Sequence, residues 1–457
     1  MKLPETSDLI AALATPPGAG ALAVIRLSGP GAFAAASAFL APAPRAPRHA
    51  AARLLSIKDS GALVDKAVVV FYRGPASYTG EDTVEISCHG SPYIIRTILN
   101  LAVKNGARPA GPGEFTLRAF LNGKLDLAQA EAVGELIAAG SAGAHRAAIT
   151  QAEGGLSSEV RGIRAALAGL LSELEARLDD SYEEIPALEA AAFSRRAAAA
   201  RKKVLSLAAG FEAGRGIREG LKVVIAGAPN SGKSSLLNAL LGYDRAMVSL
   251  RAGTTRDTLE AALEIDGFSV IFTDTAGLNA RAASQLEREG IARTQKAISS
   301  ADAVVLVKDA SIPETPSDVR AEKETSRLAL KGARVIRVFN KSDLPAIKRK
   351  DGAGALRLSA KTGHGLNGLK TALVAEQKKI FSDGSQAVVT SARHFAALSA
   401  AAEELGGLGS VMKKPGPPLE LAAENLRGAL AALADILGET TTEEVLGNIF
   451  SHFCVGK

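Results

Sequence analysis

The sequence predicts a multidomain chain with three parts: an α+β N-terminal domain, an α-helical domain made of two separated segments, and an α/β domain with a mainly parallel sheet inserted between them. Three observations predict it. Short β-like runs broken by Gly/Pro turns fill residues 1–122. Leucine stripes at helical spacing occupy 123–218 and 381–457. Between them, over 219–380, β-like and helix-like runs alternate, the pattern of a parallel sheet with covering helices.

The N-terminal strands are read from ALAVIRLSG (21–29), KAVVVFYRG (66–74) and TVEISCHG (83–90), with one or two short helices between them. In the helical segment that follows, Val160, Ile163, Leu167, Leu170, Leu174 and Leu178 recur every three or four residues, one apolar stripe of an amphipathic helix. The Ala-rich run at 187–203 reads as helix, because Ala has the best intrinsic helix propensity. GRGIREG (214–220) reads as a Gly/Arg hinge. After it come LKVVIAG, SSLLNALLG, FSVIFTD, AVVLVKD, RVIRVFN and LRLSAK in strand-helix alternation. A second stripe, Leu419, Ala422, Leu426, Leu430, Leu433 and Leu437, closes the chain. Neither helical segment has a polar face broad enough to stand alone, so both are assigned to one domain.

Composition narrows the function classes. Of 457 residues 47% are hydrophobic and 22% charged, which fits globular domains and not a disordered chain. Lys plus Arg (54) exceed Asp plus Glu (48) by 6, an excess that permits an anionic partner such as RNA without requiring one. Two cysteines, Cys88 and Cys454, exclude a disulfide scaffold and fit a reducing compartment. The N-terminus has no basic stretch followed by an apolar run, and no stretch approaches the ~18 apolar residues of a membrane span. A cytoplasmic protein is expected.

Residues 227–234 read Gly-Ala-Pro-Asn-Ser-Gly-Lys-Ser, a G-x-x-x-x-G-K-S phosphate loop between a strand and a helix. Backbone N–H groups of Asn230, Ser231, Gly232 and their neighbours through Ser235 wrap phosphates at a helix start, Lys233 brings charge to the β and γ groups, and Ser234 suits Mg²⁺. Gly253-Thr254-Thr255-Arg256-Asp257 offers a hydroxyl to complete the Mg²⁺ shell, and Asp274, Thr275, Ala276 and Gly277 place a carboxylate behind the metal and an N–H at the γ-phosphate. Asn340, Lys341, Ser342 and Asp343 follow at the end of a strand. The Asp343 carboxylate accepts from guanine N1–H and its exocyclic amine, which adenine does not offer. Ser359, Ala360 and Lys361 support the base. Five motifs in this order specify a GTPase domain.

Residue 278 is Leu, which cannot orient water as the Gln of Ras-like enzymes does. Glu287 in SQLEREG is the carboxylate expected to act instead; its alternative is a solvated helix-face Glu. Asn230 inside the phosphate loop either helps coordinate a monovalent cation beside the β and γ phosphates or simply forms a turn.

The flanks carry a second series: Ala14-Thr15-Pro16-Pro17-Gly18, Arg26-Leu27-Ser28-Gly29, Tyr78-Thr79-Gly80-Glu81-Asp82, His89-Gly90, Pro112-Gly113-Glu114-Phe115, and RAFLNGKLDL from Arg118 to Leu127. With GTTRD and the terminal Phe453-Cys454-Val455-Gly456-Lys457, the chain closely resembles the MnmE (TrmE) family of tRNA modification GTPases over essentially its whole length.

The resemblance implies a folate-binding, dimer-forming N-terminal domain with Arg26, Glu85, Lys124 and Lys457 lining a tetrahydrofolate site. Arg and Lys would face the folate's carboxylates and Glu85 the pterin's amino edge; cross-strand charges are the alternative for Arg26 and Glu85. It implies GTPase domains that dimerise around K⁺ and GTP, with a cation loop Ser249, Leu250, Arg251, Ala252, Gly253, Thr254, of which Ser249, Arg251 and Thr254 join Asn230 as ligands. Thr255 then serves Mg²⁺, and Glu287 matches the catalytic glutamate. It further implies a homodimer that works with MnmG, an FAD protein, in a heterotetramer-like complex. Together they install an aminomethyl or carboxymethylaminomethyl group at C5 of the tRNA wobble uridine. 5,10-Methylenetetrahydrofolate (5-formyltetrahydrofolate as analogue) supplies the one-carbon unit, and glycine or ammonium the nitrogen. Competing readings are a ribosome-assembly GTPase of the Era or EngA type and a non-catalytic GTP switch.

Smaller features are read plainly. Cys454 is assigned to packing over a nucleophilic role, since only His452 lies near it in sequence. Cys88-His89 is too small a group for a metal site. The basic pairs at 195–196 and 201–203 read first as a solvated helix face and second as an RNA contact. Ala19 and Gly111 replace arginines common in the family, which removes positive charge from the N-terminal domain.

Overall fold

The computed structural model describes residues 7–44, 48–178, 186–243, 260–273, 301–329, 332–345, 347, 354–382 and 387–456. In chain order the first elements are β1 (Ile10–Leu13), β2 (Leu22–Ser28), α1 (Ala32–Ser37), β3 (Leu40–Ala41), β4 (Ala52–Asp59), β5 (Ala62–Tyr72), β6 (Thr83–His89), α2 (Pro92–Lys104), β7 (Arg108–Pro109) and α3 (Glu114–Leu121). Helices follow: α4 (Leu127–Ala138), α5 (Ala142–Ala152), α6 (Gly155–Leu178), α7 (Ala190–Ala209) and α8 (Phe211–Glu219). Next come β8 (Leu221–Gly227), α9 (Lys233–Tyr243), β9 (Glu260–Ile265), β10 (Phe268–Thr273), β11 (Ala303–Asp309), α10 (Pro316–Ala329), β12 (Arg334–Asn340), β13 (Leu356–Arg357), α11 (Leu366–Leu373) and α12 (Ala375–Ser382). The last are α13 (Ala392–Val411), α14 (Leu419–Leu437) and α15 (Glu443–Ser451). The chain divides into two compact units: Met1–Gly134 with Ala152–Leu178 and Ala423–Lys457, and Glu135–Gln151 with Asp179–Ala422.

In the first unit seven strands form one sheet in the order β3-β4-β5-β6-β2-β1-β7, antiparallel except for the parallel β1–β7 pair. Its core is a layer of Ile25, Leu27, Ile57, Val69, Phe71, Val84 and Ile86 covered by Ile95, Ile98 and Leu101 of α2. The alternating burial along β2 and β5 is that of strands with one covered face. The stripe along α6 is buried at Val160, Ile163, Leu167, Leu170 and Leu174. The C-terminal tail joins this unit: Val455 bridges Pro112, Gly113 N–H donates to the Cys454 carbonyl, and Leu446 and Phe450 pack with Leu117, Leu127 and Ala130. The Cys454 side chain is exposed, which corrects the packing role; its backbone carbonyl makes the contact.

The second unit holds a six-stranded sheet in the order β13-β12-β11-β8-β10-β9. All pairs are parallel except β9–β10, a hairpin closed by Asp266 and Gly267 at φ +50° and +85°. The mainly parallel α/β domain is therefore present. β9, which periodicity did not separate from its surroundings, is signalled by that Asp-Gly pair. β11 is buried at every position, as a central parallel strand covered on both faces requires. GRGIREG is not a hinge loop: it lies in α8, which ends at Gly220 with φ +91°. Gly214 and Gly216 are there for close approach, since a Cβ at Gly214 would overlap the carbonyl oxygen of Val389. Helices α7 and α13 pack antiparallel, Arg201 lying against Ala402 while Phe211 stacks on Phe395 at a ring separation of 4.6 Å. No helix among the described residues is long and apolar enough to cross a membrane.

Candidate functional site

β8 delivers the chain to the phosphate loop, and α9 begins at Lys233. The loop folds as it does because three of its residues accept positive φ, Gly227 at +151°, Asn230 at +61° and Gly232 at +94°. Asn is among the few side chains that tolerate this region, so Asn230 forms the turn and keeps its side chain exposed. A Cβ at Gly232 would overlap the side-chain amide of Asn340. Lys233 Nζ donates to the carbonyls of Gly227 and Ala228 at 3.1 and 2.9 Å, which holds it over the loop. Ser234 and Ser235 are exposed at the first turn of α9.

The base-reading loop is fixed to this one by Asn340. Its Nδ2 donates to the Ser231 carbonyl at 3.0 Å and its Oδ1 accepts from Ala360 N–H at 3.0 Å. Asn340 and Ser231 are each 2% exposed, so the bond between them is shielded from water, while the one to half-buried Ala360 is only partly so. Lys341 sits at φ +65°, and its Nζ donates to Asp309 Oδ2 at 2.6 Å. Burial raises the Asp309 pKa, but hydrogen bonds from Lys341 and Ser311 outweigh it and hold the carboxyl below its ordinary value. Asp309 went unassigned in the sequence; its signal was an acidic residue ending the apolar run AVVLVKD. Asp343 is exposed and accepts from Ser359 Oγ at 2.6 Å, and that bond lowers its pKa, so the carboxylate is ionised and open to a base edge. Ser342 N–H donates to the Leu358 carbonyl, and Lys361 is exposed beside them. Thus the structure brings together Asn230–Ser235, Asn340–Asp343 and Ser359–Lys361. Ser249–Thr255, Asp274–Gly277 and Glu287 lie outside the described residues.

In the first unit Arg26 and Glu85 are direct cross-strand partners on β2 and β6. Arg26 Nε and Nη2 donate to Glu85 Oε1 at 2.9 and 2.7 Å, while Nη1 donates to the carbonyl of Gly456 at 3.3 Å. The Arg26 guanidinium also lies 5.6 Å from the ring centroids of both Tyr78 and Phe115. The tail therefore reaches Arg26, and Gly456 at φ +94° lets it pass close to the backbone at Leu13. Lys124 is exposed and donates from Nζ to the Pro75 carbonyl at 3.0 Å; Lys457 lies outside the described residues.

A second ion-paired network in the same unit centres on Arg118. Arg118, 1% exposed, donates to Asp8 at 2.6 Å, Glu114 at 3.0 Å and Glu81 at 3.3 Å. Arg108 donates to Asp8 and Glu114, each at 2.6 Å, and Ser28 Oγ donates to Glu81 Oε2 at 2.7 Å. Residues from the RLSG, YTGED, PGEF and RAFLNGK motifs thus meet in one network of ion pairs and hydrogen bonds.

A phosphate loop tied by a buried amide to a loop with an ionised, open carboxylate defines a guanine-nucleotide-binding P-loop domain. A family model described as the MnmE helical domain matches residues 127–454, and one described as the N-terminus of the GTP-binding protein TrmE matches 9–124. The tRNA modification GTPase MnmE of Azoarcus sp. is 41% identical over 100% of this chain and 99% of its own. That of Akkermansia muciniphila is 41% identical over 98% of each, and that of Nitrosomonas europaea 40% identical over 99% and 100%. The chain belongs to the MnmE family of tRNA modification GTPases.

Proposed function

We propose that this GTPase acts on tRNA, building the C5 substituent of the wobble uridine together with an FAD-dependent partner of the MnmG kind. The observation that carries the nucleotide half of the reading is the Asn340 bridge, which sets phosphate loop and guanine-reading loop in one frame. Asp343 would read guanine; Ser359, Ala360 and Lys361 would border the base; Asn230 through Ser235 would wrap the phosphates. Ser234 and Thr255 would hold Mg²⁺, which neutralises phosphate charge. The exposed Asn230 side chain, raised by its left-handed backbone, suits K⁺ ligation with Ser249, Arg251 and Thr254. Asp274 to Gly277 would sense the γ-phosphate, and Glu287 would position the attacking water. Hydrolysis would open and close paired GTPase domains of a homodimer.

The one-carbon half rests on Arg26, Glu85, Lys124 and Lys457 as the tetrahydrofolate site. Supporting it, the Arg26–Glu85 pair combines a cation, a carboxylate and two aromatic rings at the point the C-terminal tail reaches. This set matches a ligand with a flat amino-bearing ring and carboxylates. The domain limits proposed with it are 1–122, 123–218, 219–380 and 381–457, in a cytoplasmic protein.

The test is nucleoside mass spectrometry of tRNA from cells lacking the gene, complemented with wild type or with Asp274→Ala. Loss of C5-substituted wobble uridines, restored by wild type alone, is expected; unchanged uridines overturn the reading. In vitro, replacing K⁺ by Na⁺ at fixed ionic strength should slow GTP hydrolysis at least tenfold, and Glu287→Ala should lower kcat by ~10²-fold or more without abolishing GTP binding. Hydrolysis intact in that variant rejects Glu287 as the water-positioning group.

A further inference from the structure

We propose that helix α7, with the ends of the helix pair it forms with α13, is a docking surface for tRNA. The inference rests on the tRNA reading above and assigns a surface to it. α7 carries five basic residues (Arg195, Arg196, Arg201, Lys202, Lys203) and no acidic one between Ala190 and Ala209. Its buried stripe, Phe193, Ala197, Ala200, Val204 and Ala208, faces α13. At 100° per residue, Arg195 and Lys202 point directly away from that stripe, with Arg196 and Lys203 on one flank. The four are exposed and form two basic rungs seven residues apart, roughly 10 Å along the axis at 1.5 Å per residue.

The charge matches a phosphate backbone and neither site already described. Arg195, Lys202 and Lys203 have no ion-pair partner among the described residues. Glu403 and Glu404 stand on α13 near Arg201, and Glu189 precedes α7, so the outward face keeps its positive excess. At the antiparallel pair's N-terminal α7 end the chain leaves α13 through exposed Lys413 and Lys414. At the other end Phe395 is 38% exposed and stacked on Phe211, an exposed aromatic pair of the kind on which unpaired bases stack. A polyanion with single-stranded, unstacked bases is the partner that both features fit; an acidic protein would use the cations but not the ring.

The experiment is fluorescence anisotropy of a labelled tRNA transcript with the full-length protein across a salt series. Each lost phosphate contact lowers the log–log salt slope by about 0.7–0.9. Lys202→Ala/Lys203→Ala should therefore bind several-fold more weakly, with a slope shallower by about 1.4–1.8, while GTP hydrolysis without tRNA stays unchanged. Lys202→Arg/Lys203→Arg should restore the slope, which separates charge from folding. Phe395→Ala should weaken binding with no change of slope. Affinity and slope equal to wild type in the double alanine variant overturn the surface and leave the tRNA reading intact. So does a variant that loses only its hold on an acidic protein partner. A wild-type chain that does not bind tRNA overturns both.

Discussion

The side-chain amide of Asn340 reaches across 109 residues of chain to donate to the carbonyl of Ser231 at 3.0 Å. Its oxygen meanwhile accepts from Ala360, so one buried residue joins the phosphate loop, the guanine-reading loop and the loop beneath the base. Removing it strands the buried Ser231 carbonyl, at about 1–3 kcal/mol, and frees the partly buried Ala360 N–H. Asn340→Ala is expected to weaken GTP binding by at least tenfold and to lower the unfolding midpoint. Isothermal titration and urea unfolding measure the two effects; wild-type values in both would refute the bridge.

Asp343 offers an ionised carboxylate held by Ser359 Oγ. Guanine presents two donors to it, whereas xanthine presents a carbonyl where guanine has the amine. Asp343→Asn should therefore lose GTP affinity by ~100-fold and gain xanthosine triphosphate. Competition binding with the two nucleotides reads this directly, and an unchanged preference would place base selection elsewhere.

The Arg118 network makes acid stability specific to named groups. For Asp8 and for Glu114 burial opposes ionisation, but hydrogen bonds from Arg108 and Arg118 win and lower both pKa values. A lowered folded-state pKa stabilises fully above the unfolded value, near pH 4, and the gain is lost as pH falls through the folded value. Melting temperature should thus drop steeply below about pH 4, and Arg108→Met, which removes the stronger hydrogen bond to both carboxylates, should flatten that dependence more than Arg118→Met. At neutral pH, Arg118→Met leaves Glu114 held by Arg108 and the Gly111 N–H, so the expected cost is that of lost buried hydrogen bonds, about 1–3 kcal/mol.

Gly214 and Val389 pack backbone to backbone where α8 passes the segment before α13. Around them Arg218 Nη1 and Thr390 Oγ1 both donate to Glu135. Gly214→Ala should cost about 1–3 kcal/mol by forcing a shift there. Calorimetry should show a lower transition, whereas Gly242→Ala, with open space around it, should not. Equal transitions would mean that the close approach is not constraining.

Much of this was legible in the sequence because its signals are local. The phosphate loop needs Gly232 and an adaptable Asn230 within a few residues of Lys233, and the apolar runs of β8, β10, β11 and β12 are contiguous. Where the signal was a backbone contact between distant residues, local reading misjudged it. GRGIREG looked like a hinge because glycines favour turns, yet α8 uses them to let another strand of chain approach. Cys454 is assigned to packing because only His452 lies near it in sequence, yet its side chain is exposed and its carbonyl makes the contact.

The sequence by itself determined the class of domain, the nucleotide it reads and the family, since each depends on residue types in fixed order. Tertiary structure alone decided which charges meet. Arg26 faces Glu85 because β2 pairs with β6 in one register, and a one-residue slip of either strand would turn its member of the pair to the other face. Asp8, Glu81 and Glu114 converge on Arg118 because the fold buries Arg118 and Glu114 completely, and a charge taken out of water must be met by opposite charge and hydrogen bonds.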